Sequence, residues 1–340
     1  MSGASFGYCG AMTQNHIEYR QVGRSGLTAS TVGLGCNNLG RSGTVTQTQE
    51  GSNAVVHAAL DAGITHFDVA DNYGMTAGLS ETILGKALGA QRENVVIASK
   101  FGMDTGGANG VDWGRRGSRK YIRQAIEASL RRLNTDYLDL YYYHTPDGHT
   151  PMAETLSTLD DLVHEGKIRY FGHSNLAGWQ IADAEHTARA RGTERFIASQ
   201  NHYNLLDRRA EQEVTPAAEA YGLGVMPYFP LANGLLTGKY KGGAVPEGSR
   251  LSHTRQHMVS DADQAQFAAF SAFAAARELT EVQVAFSWLA AQPAVASVIA
   301  GATKPEQVRE NAAAVSWKPT AADLAELDTI FPKVPKVALF

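Results

Sequence analysis

The chain has 340 residues, with 30 Lys+Arg against 34 Asp+Glu, a formal net charge of −4, 44% hydrophobic residues and 19% charged ones. That balance is globular, and without a dense Lys/Arg run it argues against a protein that gains affinity by neutralising phosphates along a nucleic acid. Two cysteines, Cys9 and Cys36, cannot build a disulfide framework or a thiolate-rich zinc site, and no apolar run is long enough to span a membrane, so a soluble cytoplasmic protein is expected.

Residues 1–15, with Gly3, Gly7 and Gly10 among polar neighbours, read as a flexible lead-in ahead of a folded domain over 16–340. IEYRQV and LTAS then alternate apolar and polar residues around a Gly23–Gly26 turn, the pattern of a β-hairpin. Beyond it, eight short apolar runs (TVGLG, THFDVA, NVVIASK, YLDLYYYH, IRYFGHS, FIASQ, GVMPY and SVIAG) alternate with stretches of helical period such as AVVHAALDAG, SETILGKALG, YIRQAIEASLRRL and ETLSTLDDLVHEG. Gly63, Gly89 and Gly166 stop helical stretches just before the next strand. Eight strand–helix units without a composition break predict an α/β fold, a single (β/α)8 TIM barrel carrying an N-terminal β-hairpin. A Rossmann domain is the main competitor, but GLGCNN has Asn38 where the third glycine of the dinucleotide fingerprint belongs, and GLGVMP ends in Pro227. The stretch from Leu231 to Phe267 is too long and too rich in Gly and Ser for an ordinary connection, which predicts a long loop after the seventh strand.

In such a barrel the chemistry belongs at the C-terminal ends of the strands, where this chain places Asp68, Lys100, His144, Ser174, Asn175, Gln200 and Tyr228. Tyr73 follows Asp68 in the loop above its strand. The set suits carbonyl reduction, in which hydride transfer leaves negative charge on an oxygen that must receive a proton. A tyrosine can donate it if a neighbouring ammonium, Lys100, favours the phenolate and lowers its pKa. Asp68 would keep that lysine charged inside a mouth of low dielectric, and His144 would donate a hydrogen bond to the substrate oxygen.

The segments FDVADNYG, IASKFG and YYYHTPD, followed by GHSN at 172–175, SQNHYNLLDR at 199–208, PYFPLANGLLTGKY at 227–240 and GATKPEQVREN at 301–311, resemble the signatures of the aldo-keto reductase superfamily in order and strand context. The last two are most similar to the branch containing bacterial reductases and the β-subunits of voltage-gated potassium channels. The resemblance covers nearly the whole chain and implies NADP(H) bound without a Rossmann domain, with reversible reduction of an aldehyde or ketone. It further implies Tyr73 as proton donor, with Asp68, Lys100 and His144 as its catalytic partners. Ser174, Asn175 and Gln200 resemble the ligands of the nicotinamide carboxamide, and Tyr228 the ring that stacks on it. Asn37, Pro230 and Leu231 fall at cofactor-lining positions, Lys239 and Arg250 at phosphate-contacting ones, and Thr303, Gln307, Glu310 and Asn311 at the adenosine end. The Thr303–Glu306 spacing predicts a capping box, hence a helix start that offers free N–H groups to a phosphate. Three departures from the family pattern stand out: Phe229 where Ser is frequent, Cys36 and Asn37 where Thr and an aromatic are frequent, and Gln307 where the best-known mammalian members carry Arg.

Simpler readings compete at several positions. Asp68 alone would read as a turn cap; three further functional side chains at strand ends make it part of a site. Tyr141, Tyr142 and Tyr143 read as packing, because successive strand residues face opposite ways. His253 and His257 have a metal pair's spacing but no third ligand nearby, and no metal is expected. Trp113 either lines the substrate pocket with Tyr73 and His144 or covers the rim. Cys36 reads as a small buried residue. Two other functions remain in play: a nicotinamide-binding redox-sensing regulatory subunit acting through a protein partner, and a metal-dependent barrel hydrolase or isomerase. Otherwise the expected partner is a small carbonyl or alcohol, with neither nucleic acid nor membrane, and self-association is left open.

Overall fold

The computed structural model describes residues 17–247, 249–253, 255–333 and 335. The lead-in with Cys9, and the side chains of Arg250 and His253, lie outside the described residues. Two short antiparallel strands, β1 (Tyr19–Gln21) and β2 (Thr28–Ser30), form the expected hairpin, with Tyr19 opposite Ser30. Gly23 turns between them at φ +57°, and a Cβ there would run into the Gly222 carbonyl and the Gly224 amide.

Eight parallel strands follow: β3 (Val32–Gly35), β4 (His66–Asp68), β5 (Val96–Phe101), β6 (Leu138–Tyr143), β7 (Ile168–Ser174), β8 (Ala198–Gln200), β9 (Gly224–Val225) and β10 (Val298–Gly301). They are hydrogen-bonded in the order β10-β3-β4-β5-β6-β7-β8-β9, without the reversal that a doubly wound sheet needs. The Val225 N–H donates to the Ala294 carbonyl, the Ala296 N–H to Val225 and the Ile299 N–H to Pro227, so the curled sheet meets its own first strand. This is the (β/α)8 barrel.

Inside the barrel, Val22, Leu27 and Ala29 of the hairpin pack on Ala98, Leu140, Tyr142, Ala198, Met226, Ala296 and Ile299. Gly23 sits against Ile197 and Gly224, at the starts of β8 and β9, so the hairpin plugs the N-terminal end of the barrel with apolar side chains. The strand ends that carry Asp68 and Lys100 lie at the opposite, C-terminal end. Tyr142 points inward, while Tyr141 and Tyr143 face the helices and pack on Phe101, Tyr143 stacked and Tyr141 tilted. All three are buried, as strand alternation predicts.

The helices are α1 (Gln49–Asp61), α2 (Leu79–Leu88), α3 (Arg119–Leu133), α4 (Met152–His164), α5 (Gly178–Arg191), α6 (Ala210–Tyr221), two short turns α7 (Arg250–His253) and α8 (His257–Ser260), then α9 (Gln264–Ala275), α10 (Glu281–Ala290), α11 (Pro305–Ala313) and α12 (Ala321–Ile330). In α3 the Ser118 hydroxyl caps the Tyr121 N–H, and Tyr121, Ile122, Ala125, Ile126, Ser129, Leu130 and Leu133 form the buried face. Asn134, at φ +52°, ends the helix. Gly63, Gly89 and Gly166 all have positive φ, as their role as stops requires. The long segment after β9 is anchored by buried Tyr240, Leu251 and Val259, with the Leu251 N–H donating to the Tyr240 hydroxyl at 3.3 Å. One local expectation fails. α11 begins at Pro305 with Lys304 as its cap residue, and Thr303 and Glu306 form no capping box. The proline forces the preceding residue into extended backbone, so the helix cannot start at Thr303; the Thr303 N–H donates to Gln307 Oε1 at 2.9 Å instead. Among the described residues no helix is long and apolar enough to cross a membrane.

Two fully buried imidazoles make the fold acid-sensitive. Burial pushes His66 down to about 4 and His173, which has no hydrogen-bond partner on either nitrogen among the described residues, down to about 3. The unfolded chain takes up these protons near the ordinary value of about 6.5, so below it the unfolded state binds more protons than the folded one. Stability is therefore present above about pH 6.5 and falls with pH, by up to about 1.4 kcal/mol per pH unit for each group. Thermal melts from neutral pH to about pH 4.5 should show this slope, and His173→Phe, which keeps the edge-on ring contact with Phe196, should flatten it by close to one proton. An unchanged slope would mean that His173 is not a source of the effect.

Candidate active site

Asp68 is the last residue of β4 and Lys100 the penultimate residue of β5; both side chains point into the mouth and are buried. Lys100 Nζ donates to Asp68 Oδ2 at 2.8 Å and to the Val69 carbonyl at 2.9 Å, and lies 3.3 Å from the Tyr73 hydroxyl. The other carboxylate oxygen of Asp68 accepts from Gln200 Nε2 at 2.8 Å. Asp68 is thus the centre of the site and caps no turn. His144, just past β6, presents its ring edge-on to Tyr73 with centroids 5.9 Å apart. The four residues, three expected at strand ends and Tyr73 in the loop above, converge.

Their electrostatics differ from the sequence expectation in one respect. The Lys100 ammonium does pull the Tyr73 phenol down, but burial is the larger influence and leaves it above the ordinary tyrosine value. The phenol therefore carries its proton at neutral pH. Lys100 is itself raised: burial disfavours the ammonium, but Asp68 and then Tyr73 together outweigh it. Burial, and secondarily Lys100, push His144 well below the ordinary imidazole range, so it is a neutral ring able to donate one hydrogen bond.

Beside these four, Ser174 Oγ donates to the Gln200 carbonyl at 2.7 Å. Asn175, held at φ +60°, donates from Nδ2 to the His144 carbonyl and to Ser174 Oγ, both at 3.0 Å, and accepts the Tyr228 hydroxyl on Oδ1 at 2.9 Å. The structure thus groups Ser174, Asn175, Gln200 and Tyr228 on one wall. Pro230 is buried and Leu231 half-buried, two and three positions after Tyr228, and Asn37 is exposed in the short turn Cys36–Asn38 that follows β3. Lys239 is exposed, its ammonium 5.2 Å from the centre of the Tyr240 ring. Gln307 and Glu310 are exposed on α11, and Asn311 is buried. Trp113 is 69% exposed at φ +49°, with the Lys120 ammonium 4.1 Å from its ring centre, a position on the rim. Cys36 is buried, and burial followed by Asp68 raises its thiol, so it is no reactive thiolate.

Sequence reading passed over a buried polar network behind Tyr73. Asn109 donates to Asp71 Oδ2 at 2.7 Å, Arg132 donates to Asn109 Oδ1 at 3.0 Å and to Glu81 Oε2 at 2.6 Å, and Ser99 donates to Glu81 Oε1 at 2.5 Å. Gly78 is required beside it, because a Cβ there would collide with the Arg132 side chain. The network ties the Tyr73 loop to the Asn109 loop through α2 and α3. Burial, and then Glu81, push the Asp71 carboxyl well above the carboxylate range against the opposing pull of Arg132 and Asn109. Asp71 lies within FDVADNYG, but the side chain it bonds, Asn109, is 38 positions away, and no local pattern names it. Among the described residues no three His, Cys, Asp or Glu side chains gather so as to hold a metal ion.

The family model "Aldo/keto reductase family" matches residues 31–331. Similar proteins include the uncharacterised oxidoreductase YrpG of Bacillus subtilis, 36% identical over 93% of this chain and 96% of the relative. L-glyceraldehyde 3-phosphate reductase of Escherichia coli is 33% identical over 92% of each chain. A protein of Oryza sativa subsp. japonica named "Probable voltage-gated potassium channel subunit beta" is 33% identical over 94% of this chain and 98% of the relative. These relatives match the branch expected from the motifs, and with the family model covering the barrel and all four converging residues, the chain belongs to the aldo/keto reductase family.

Proposed function

We propose that this oxidoreductase reduces an aldehyde or ketone to an alcohol with NADPH in the cytoplasm, reversibly, with Tyr73 as the proton donor. The observation that carries the reading is the buried contact of Lys100 Nζ with both Asp68 and the Tyr73 hydroxyl, beside a neutral His144. The residues fit a flat amide-bearing ring: Tyr228 offers a half-buried aromatic face, and Ser174, Asn175 and Gln200 supply hydroxyl and amide groups that donate and accept beside it. When bound, the nicotinamide would supply the hydride. Tyr73 then transfers its proton to the carbonyl oxygen, and the Lys100 ammonium stabilises the phenolate left behind. Asp68 and Gln200 hold Lys100 in place and charged, and His144 orients the oxygen through a hydrogen bond. Loss of dihydronicotinamide absorbance over many turnovers, with a panel of sugars, quinones, steroids and small aldehydes, tests the reading. The relatives named as channel subunits favour a second one, a redox-sensing regulatory subunit, for which about one slow turnover and then arrest is the expected trace.

Preference for NADPH over NADH rests on cations beyond the mouth: exposed Lys239, Lys304 at the start of α11, and Arg250 by resemblance. A charge-assisted phosphate contact contributes about 1.5–3 kcal/mol. Arg250→Ala should therefore weaken NADPH binding by about ten- to a hundredfold while leaving NADH nearly untouched, with Gln307 in place of Arg favouring the lower end. Fluorescence titration of both cofactors checks this, and equal losses would assign Arg250 to the pyrophosphate or to the loop itself.

A further inference from the structure

Behind Tyr228 stands a second aromatic ring that the mechanism above does not use. His202 and Tyr228 are joined by a parallel β-bridge, and their rings are stacked with centroids 5.4 Å apart and planes within 8°. Phe229 closes the cluster edge-on, at 88° to His202 and 83° to Tyr228. This gives the phenyl ring at the family's usual serine position a packing role.

The His202 ring is locked by partners whose directions are determined. Asn204 Oδ1 accepts the Leu206 and Asp207 N–H groups, both at 2.9 Å, so its amide nitrogen must face the other way. That nitrogen donates to the Phe229 carbonyl at 2.9 Å and to His202 Nε2 at 3.1 Å. Nε2 is therefore an acceptor, and the ring proton sits on Nδ1, 2.9 Å from Asp207 Oδ2. Burial keeps the imidazole below its ordinary range against the opposite pull of Asp207, in keeping with this neutral tautomer. On the other side, the Tyr228 hydroxyl is tied to Asn175, which in turn holds the His144 carbonyl. The Tyr228 ring is thus fixed at its edge by Asn175 and backed on one face by an oriented imidazole.

We infer that His202 is a positioning residue for the nicotinamide: it backs the Tyr228 ring and holds it at the angle that receives a flat cofactor. This rests on the nicotinamide-dependent reading above. A planar ring under Tyr228 restricts its tilt before binding, so less ordering remains to be done when a ligand stacks on the open face.

The test is a fluorescence titration of NADPH and NADH on the full chain, comparing wild type, His202→Ala, His202→Phe, Tyr228→Ala and the double variant His202→Ala/Tyr228→Ala. An aromatic stack of this kind supports an effect of about three- to tenfold. His202→Ala should weaken both cofactors by that factor, and His202→Phe, which keeps the ring but loses both hydrogen bonds, should restore most of the affinity. On the Tyr228→Ala background, His202→Ala should cost nothing further. Wild-type affinity in His202→Ala, a His202→Phe as weak as His202→Ala, or an undiminished loss on the Tyr228→Ala background would each overturn the inference while leaving the reductase reading intact. A wild type that binds neither cofactor would overturn both.

Discussion

Tyr73→Phe should retain cofactor affinity and lose about two to four decades of turnover, the usual scale of general acid catalysis. The phenol is the protonated group nearest Lys100, at 3.3 Å, and its ring packs edge-on to His144, so removing one oxygen deletes the proton donor and leaves the wall in place. Because burial outweighs Lys100 and holds the phenol above its ordinary value, the donor should keep its proton well into the alkaline range. Single-turnover reduction, with cofactor binding measured separately, checks the result. Near wild-type turnover in a step shown to be chemical would assign proton delivery to another residue.

Lys100→Met should cost at least as much activity and, unlike the tyrosine change, should also cost stability. It removes the charge that stabilises the Tyr73 phenolate and leaves the buried Asp68 side chain, among the described residues, with Gln200 as its remaining hydrogen-bond partner. Breaking a buried ion pair from one side destabilises by about 3–5 kcal/mol. Asp68→Asn should be milder in turnover and should change the pH profile. Without Asp68, burial is opposed only by Tyr73, so the Lys100 pKa falls. The ammonium, and with it activity, then persists at low pH and is lost as pH rises through the lowered value. Rates across pH at equal folded content, judged by circular dichroism, separate the two variants. An Asp68→Asn more damaging than Lys100→Met at every pH would show that the carboxylate acts on substrate directly.

The barrel was legible because its signals are local. Period-2 and period-3.6 patterns alternate along the chain, positive-φ glycines such as Gly63 and Gly166 stop the helices, and a strand's C-terminal residue must lie on the same rim as its neighbours'. Asp68, Lys100 and His144 could therefore be placed together from strand ends alone, and Tyr73 from the loop that follows Asp68. The spacing at Thr303 misleads because a capping-box spacing is only a pattern, and Pro305 overrides it through the backbone of Lys304.

What the amino-acid order determined by itself was the sequence of strands and helices and the identity of the groups at the barrel mouth, since both depend on neighbours a few positions apart. Tertiary structure alone decided the rest. It set the ring of His202 behind Tyr228, joined Asp71 to Asn109 and Arg132, and turned Gln200 onto Asp68 from 132 positions away. It also decided the protonation of Tyr73, where burial competes with the field of Lys100. Desolvation and side-chain contact are properties of distance in space, and only the folded barrel makes those distances short.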